Sequence, residues 1–387
     1  MTSLVPKSDA RIRAEAPKSL RSLAGALTLI GRWRRRAGSA ERVASTAITA
    51  AMVGYAAVVG LLCHMLGHAM NFRLDLYVGP FYLSYLLYGL TIFAILRLRM
   101  AKGRLHEPLL FFKGGWHPRD FLGRFLSALP FLLAFPLFMS GFTGMKTLLN
   151  EVVPFSWDAD LSALGPTLHF GRHAWQWLDI ESPLLTRPLE ILYALWGVVL
   201  VAVPFAVSLR RPGCPIRTRF LVSYLLVLIL LGNVAAGIFM SAGPFSFELT
   251  GARHDPYAGL FAYLNQADPN GSFSAIAFQR YLWDAHVQGI TYIGTGISAF
   301  PSIHVAMAML YVLFAWQFGR AARIASLLFL AGIMVGSVHL GWHYAVDGYA
   351  GCLGAAAIYF TVGWMQQRLR RSGGTPRREA AYSGAAA

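Results

Sequence analysis

With 387 residues, 56% of them hydrophobic and only 13% charged, and with a positive mean hydropathy, the chain is too apolar for an ordinary soluble globule. It reads as an all-α, polytopic transmembrane bundle. The net charge of +16 would point to nucleic acid in a soluble protein, but here the basic residues fall where the anionic inner leaflet of a bilayer accounts for them, so no nucleic-acid partner is expected.

Residues 1–42 mix Arg and Lys with Leu20, Leu23, Leu27, Ile30 and Trp33 at helix-like intervals, which fits either an amphipathic helix on the inner membrane surface or a frayed basic tail. A cleaved signal peptide fits poorly, because Arg32, Arg34, Arg35 and Arg36 follow the short apolar run where a cleavage site would stand. Eight apolar stretches long enough to cross about 30 Å of hydrocarbon follow. They run Ala44 to Leu66, Leu76 to Leu96, Phe125 to Met145, Ile191 to Leu209, Phe220 to Ala242, Ser302 to Phe318, Ile324 to Trp342 and Tyr344 to Met365. Asp347 is the one Lys, Arg, Asp or Glu inside them. The stretches divide the chain into two spans and a cytoplasmic loop over 43–124, six spans over 125–366 and a disordered basic tail over 367–387.

Cytoplasmic segments near span ends collect Lys and Arg. With the N-terminus inside, 28 of the 34 basic residues lie in cytoplasmic segments, and Arg73, Lys146, Arg172, Arg187, Arg253 and Arg280 are left outside. This predicts an integral protein of a bacterial inner membrane or its equivalent, with both termini cytoplasmic and the span ends that carry His304, His343 and Asp347 on the outer, periplasmic or lumenal, side, where an active site built on them would lie. Two exterior connections are long, 146–190 and 243–301, and such loops usually carry function. The first reads as one or two interfacial helices and the second as turns with a short helix.

His304 falls in the first turn of the sixth span, with Ser302 as its cap. His343 and Asp347 are four apart at the start of the eighth span, close enough on a helix for the carboxylate to hold an imidazole N–H. Both helix N-termini point outward, where their unpaired amides favour a phosphate between them. If Asp347 fixes the Nδ1–H tautomer of His343, Nε2 is free to attack phosphorus, and His304 can protonate the departing alkoxide. A lone histidine at a helix end is usually a satisfied interfacial residue. Two of them together with a carboxylate at one membrane mouth favour function.

Phe-Pro-Ser-Ile-His at 300–304 and Gly-Trp-His-Tyr-Ala-Val-Asp at 341–347 resemble the second and third signatures of the type 2 phosphatidic acid phosphatase superfamily. The likeness is closer to its inositol-phosphotransferase branch, represented by inositol phosphorylceramide synthase, which Ser-Ala-Gly-Pro at 241–244 also resembles. The resemblance implies a six-helix core made of spans three to eight, with His343 as nucleophile, Asp347 as its partner and His304 as general acid. Two features depart from it. The family's first signature, with its Lys and Arg-Pro, is not evident, and Ser337 stands where an Arg usually precedes the nucleophile. The missing cations suit a phosphodiester, which carries less charge than a phosphomonoester.

Arg280 and Arg253 are candidate phosphate contacts, each also readable as a solvated or lipid-anchoring residue. Ser302, His339 and Gly243 complete the candidate substrate contacts; for His339 a packing role is an equal alternative. Asp158 and Asp160 could meet a polyol or a divalent ion, with loop solvation the better reading. No metal site and no cofactor are expected, and His64 and His68 lack a third ligand. The expected activity is a lipid phosphotransferase working through a phosphohistidine, moving a phospho-headgroup such as phosphoinositol between membrane lipids and a lipid or polyol acceptor. The alternatives are a lipid phosphatase acting on phosphatidate-type or isoprenyl phosphates, with water as acceptor, and, from another class, a transporter or non-catalytic scaffold.

Overall fold

The computed structural model describes residues 39–101, 118–178, 181–210, 214–250, 255–267 and 274–372. The segment expected to be amphipathic or disordered, up to residue 38, lies outside them, as do Arg253 and the tail from residue 373. Among the described residues the regular structure is helical, without strands. The helices are α1 (Ser39–Met65), α2 (Asp75–Ala101), α3 (Pro118–Val152), α4 (Asp158–Leu168), α5 (Ala174–Leu178), α6 (Pro183–Ser208) and α7 (Pro215–Leu226). After α7 the chain continues without a break as a π-helical stretch, Val227–Ala235, and a last turn, Ala236–Ile238. Then come α8 (Ala258–Ala267), α9 (Ala275–Val287), α10 (Ile303–Ala315), α11 (Arg320–His339) and α12 (Ala345–Ser372).

α3 is apolar on all sides, the pattern of a helix surrounded by others. Phe131, Phe135 and Phe138 are buried along it, stacked in sequence with centroids 5.4 and 6.3 Å apart. Two prolines, Pro130 and Pro136, lie inside it, and Ser140 Oγ donates to the Pro136 carbonyl at 3.0 Å. Inside a bundle such interruptions of a spanning helix are tolerated. α3 is also joined to the π-helical stretch. Asn233 accepts from Tyr55 of α1 at 2.7 Å and donates to the Phe142 carbonyl of α3 at 3.4 Å, so a single amide ties three helices together across an apolar interior.

Among the described residues seven helices are long and apolar enough to cross a membrane, which makes the chain an integral membrane protein. The expected sixth span is the exception. α10 has 13 residues, about 20 Å of helix, and the stretch before it is irregular. Thr295, Ile297, Ala299 and Ser302 in that stretch are all buried, and irregular backbone at depth is tolerated where protein covers it. Asn150 of α3 brackets the stretch, its Nδ2 donating to the Ile297 carbonyl and its Oδ1 accepting from the Ile297 amide, both at 2.6 Å.

Other boundaries also move. α3 runs past Met145 to Val152, which places Lys146 inside a helix and not in an exterior loop. α6 begins at Pro183, eight residues before the expected start, with proline in the first turn, where its missing N–H costs nothing. The second long connection holds two helices, α8 and α9, and two short 3-10 turns, where turns and one helix were expected.

α10 packs on α12, which forms the floor of the site. A Cβ at Gly351 of α12 would lie 2.5 Å from the Ser302 carbonyl and 3.3 Å from the Ala306 amide, so only glycine allows this approach. Gly351→Ala should therefore cost about 1–3 kcal/mol, whereas Gly197→Ala on α6, where the added carbon meets nothing within 4 Å, should not destabilise. Thermal unfolding of the two variants in detergent measures the contrast; equal melting temperatures would contradict the packing.

Candidate active site

The turn that carries His343 is set by the end of α11. Leu340 caps the helix and Gly341 follows with φ +70°; the Gly341 amide donates to the Val338 carbonyl at 3.1 Å and the Trp342 amide to the Ser337 carbonyl at 3.0 Å. This is the paired-bond glycine stop of a helix C-terminus. The His343 amide also donates to the Ser337 carbonyl, at 3.0 Å. His343 thus leaves a turn whose shape is set by backbone bonds.

Its ring is 6% exposed, and Nδ1 lies 2.9 Å from the Ala299 carbonyl oxygen. A carbonyl can only accept, so this bond requires the proton on Nδ1 and leaves a lone pair on Nε2 of the neutral ring. Nε2 faces His304 Nδ1 at 3.5 Å, with ring centroids 5.6 Å apart. The Ala299 carbonyl is itself held, because its residue's amide donates to the Ser241 carbonyl at 2.9 Å and the Phe300 amide to Ser241 Oγ at 3.1 Å.

Asp347 sits differently from the expected i, i+4 pair on one helix. α12 begins at Ala345, so His343 precedes it, and Asp347 lies in the first turn. Its Oδ2 accepts from the Tyr344 amide at 2.9 Å, the reciprocal half of a capping box. The same oxygen approaches His343 Nδ1 to 3.4 Å, farther than the Ala299 carbonyl. Asp347 is fully buried. Its backbone carbonyl accepts from the Ser302 amide at 2.9 Å, so the starts of α10 and α12 are tied together. Ser302 caps α10 as its position predicts, Oγ accepting from the Val305 amide at 3.4 Å, and it is fully buried.

His304 is clamped between two aromatic rings of α6. Tyr193 stacks on it at 4.5 Å with 23° between planes, and Trp196 lies at 4.1 Å. Trp196 Nε1 also donates to the His304 carbonyl at 3.1 Å. Neither aromatic residue carries a motif that would single it out in an apolar span. Lys146 of α3 is partly buried and packs against Gly296, in the irregular stretch before α10. In the sequence Lys146 falls just past the third apolar run, which Leu148 and Leu149 continue beyond it.

Asp158 is buried, contrary to the expectation of loop solvation. At 2% exposure its Oδ2 accepts from the Ala242 amide and its Oδ1 from the Gly243 amide and the Tyr344 hydroxyl, each at 2.8 Å. Burial pushes its carboxyl up, and the three donors pull it back only in part. Gly243 therefore meets Asp158 through its amide. His339 is buried with Nε2 2.9 Å from Thr186 Oγ1, which also contacts the Tyr263 hydroxyl at 2.8 Å. Arg280 is exposed on α9 and donates to Asn265 Oδ1 at 3.0 Å. Its neighbour Gln279 points inward and donates to the Leu340 carbonyl at 2.8 Å, bracing the His343 turn.

A helical membrane bundle that brings a buried and a half-buried imidazole within 3.5 Å of each other, beside a buried carboxylate at the start of a long helix, defines a class of integral-membrane protein with a paired-histidine centre. The family model described as the PAP2 superfamily matches residues 159–361, just over half of the chain, and the chain belongs to that superfamily. Its members are helical membrane proteins and generally phosphatases or phosphotransferases. No curated protein and no solved structure matches the chain.

The Ala299 bond fixes a spectroscopic expectation. Nitrogen-15 spectra of histidine-labelled protein, assigned by comparison with His343→Gln, should show neutral His343 as the Nδ1–H tautomer; an Nε2–H signature would contradict the geometry.

Proposed function

We propose that the protein is a lipid phosphotransferase in which His343 forms a phosphohistidine. The observation that carries this reading is the commitment of Nδ1–H to the Ala299 carbonyl while Nε2 faces His304 at 3.5 Å. The donor's phosphorus enters between the two rings and displaces their contact. Nε2 bonds to phosphorus as the P–O bond to the leaving alcohol breaks, and His304 gives that oxygen a proton. His304 then takes a proton from the incoming alcohol, whose oxygen attacks phosphorus and releases Nε2.

Lys146 supplies the cation for the phosphate oxygens, a role that neither Arg280 nor the motif positions fill. One ammonium suits a phosphodiester, whose single charge it can neutralise, and this supports transfer of a phospho-headgroup such as phosphoinositol between membrane lipids. The bias of Lys and Arg toward one set of connections supports cytoplasmic termini and a site at the opposite, outer face.

Purified protein incubated with labelled phosphoinositide and ceramide or diacylglycerol should move the headgroup to the acceptor and yield an acid-labile phosphoenzyme. His343→Ala should abolish both signals and His304→Ala should abolish turnover; a phosphoenzyme that persists in His343→Ala removes the covalent mechanism. Release of inorganic phosphate from a monoester without headgroup transfer would make the protein a phosphatase. In the same assay Lys146→Met should lower kcat about 10²–10³-fold, and unchanged turnover would take the phosphate contact away from that residue.

A further inference from the structure

Asp158 joins three segments that are remote in the chain. Its oxygens accept from residues 84, 85 and 186 positions away, although it occupies the first turn of α4, where an acidic residue would ordinarily serve its own helix's amides. We propose that Asp158 is a positioning residue for His343, an inference that rests on His343 being the nucleophile.

Two routes lead from it to that ring. Through the Ala242 and Gly243 amides it fixes the segment whose Ser241 holds Ala299 and Phe300, and Ala299 in turn fixes His343 Nδ1. Through the Tyr344 hydroxyl it fixes the residue that follows His343 and opens α12. The two routes close a ring of bonds around the imidazole, and neither places Asp158 in contact with it.

The chemistry of the three donors explains why a carboxylate stands here. Two backbone N–H groups and a phenol all need acceptors, and an ionised carboxyl is acceptor-only on both oxygens. Asparagine would turn an NH₂ toward one of the two amides and leave a buried N–H unpaired. A buried carboxylate is costly, and here all three of its partners lie on the segments that frame His343.

The test compares wild type, Asp158→Asn and Tyr344→Phe as full chains in detergent or bilayers, reading kcat and KM for headgroup transfer together with the nitrogen-15 signature of His343. Asp158→Asn should lower kcat about 10²-fold with KM near wild type, and should convert His343 from a single Nδ1–H form to a mixture of tautomers. Tyr344→Phe, which removes one bond of three, should lower kcat by about threefold to tenfold; it also carries the comparison should Asp158→Asn fail to fold. An unchanged His343 signature in the folded variant overturns the proposal, whatever happens to turnover. Because that signature needs no substrate, it stays decisive even if wild type transfers no headgroup, the result that would instead sink the phosphotransferase reading.

Discussion

A neutral imidazole has one lone pair to offer, and in this protein a backbone carbonyl decides which nitrogen offers it. The Ala299 oxygen at 2.9 Å is a stronger claim on His343 Nδ1 than the Asp347 carboxylate at 3.4 Å. A carbonyl does this at less cost than a charge would, because an ionised group in a water-poor interior must be matched by bonds that repay its lost solvation. Asp347 finds part of that match in the Tyr344 amide. It thus serves the helix start as well as the ring. In the proposed reaction it acts on a ring already oriented by its neighbour, and stabilises the charge that develops when phosphorus bonds to Nε2.

Holding one carbonyl in place takes many residues, because it belongs to irregular chain. The stretch before α10 has no ladder of its own, so its polar groups must be satisfied one by one. Asn150 takes both backbone groups of Ile297, Ser241 takes the amides of Ala299 and Phe300, and Asp347 takes the amide of Ser302 through its own carbonyl. Each contact comes from a different helix or turn, so the stretch is fixed from several sides. The shortness of α10 follows from the same arrangement. A helix running the full depth would have placed regular backbone where the site needs a carbonyl turned toward His343.

The bundle was legible in the sequence because apolar runs without charges have few other fates, and seven of the eight expected spans match long helices. Their ends were less legible. Hydropathy stops at a charge, whereas α3 carries Lys146 and continues to Val152. The histidine pair could be read because both residues sit in short motifs at helix starts. What could not be read were the groups that hold the pair. A backbone carbonyl has no residue signature, so Ala299 was invisible, and an aspartate between two spans looks solvated until Tyr344 and the Ala242–Gly243 amides are seen to close over it. Tyr193 and Trp196 were similarly lost among the apolar residues of α6. The clamp they form on His304 exists only once α6 lies against α10.

The segment matching the superfamily begins at residue 159, after α3 has ended, yet two groups of α3 bear on the paired histidines. Asn150 fixes the stretch that delivers the Ala299 carbonyl, and Lys146, one turn earlier on the same helix, packs against Gly296 in that stretch. Asp158 stands one residue before the match and bonds into it at three points. α10 and α12 do not by themselves satisfy the irregular stretch that carries Ala299. Irregular backbone must be covered on the side that α10 and α12 leave open. α3, largely apolar and mostly buried inside the bundle, meets that demand. The functional unit we propose therefore starts at α3.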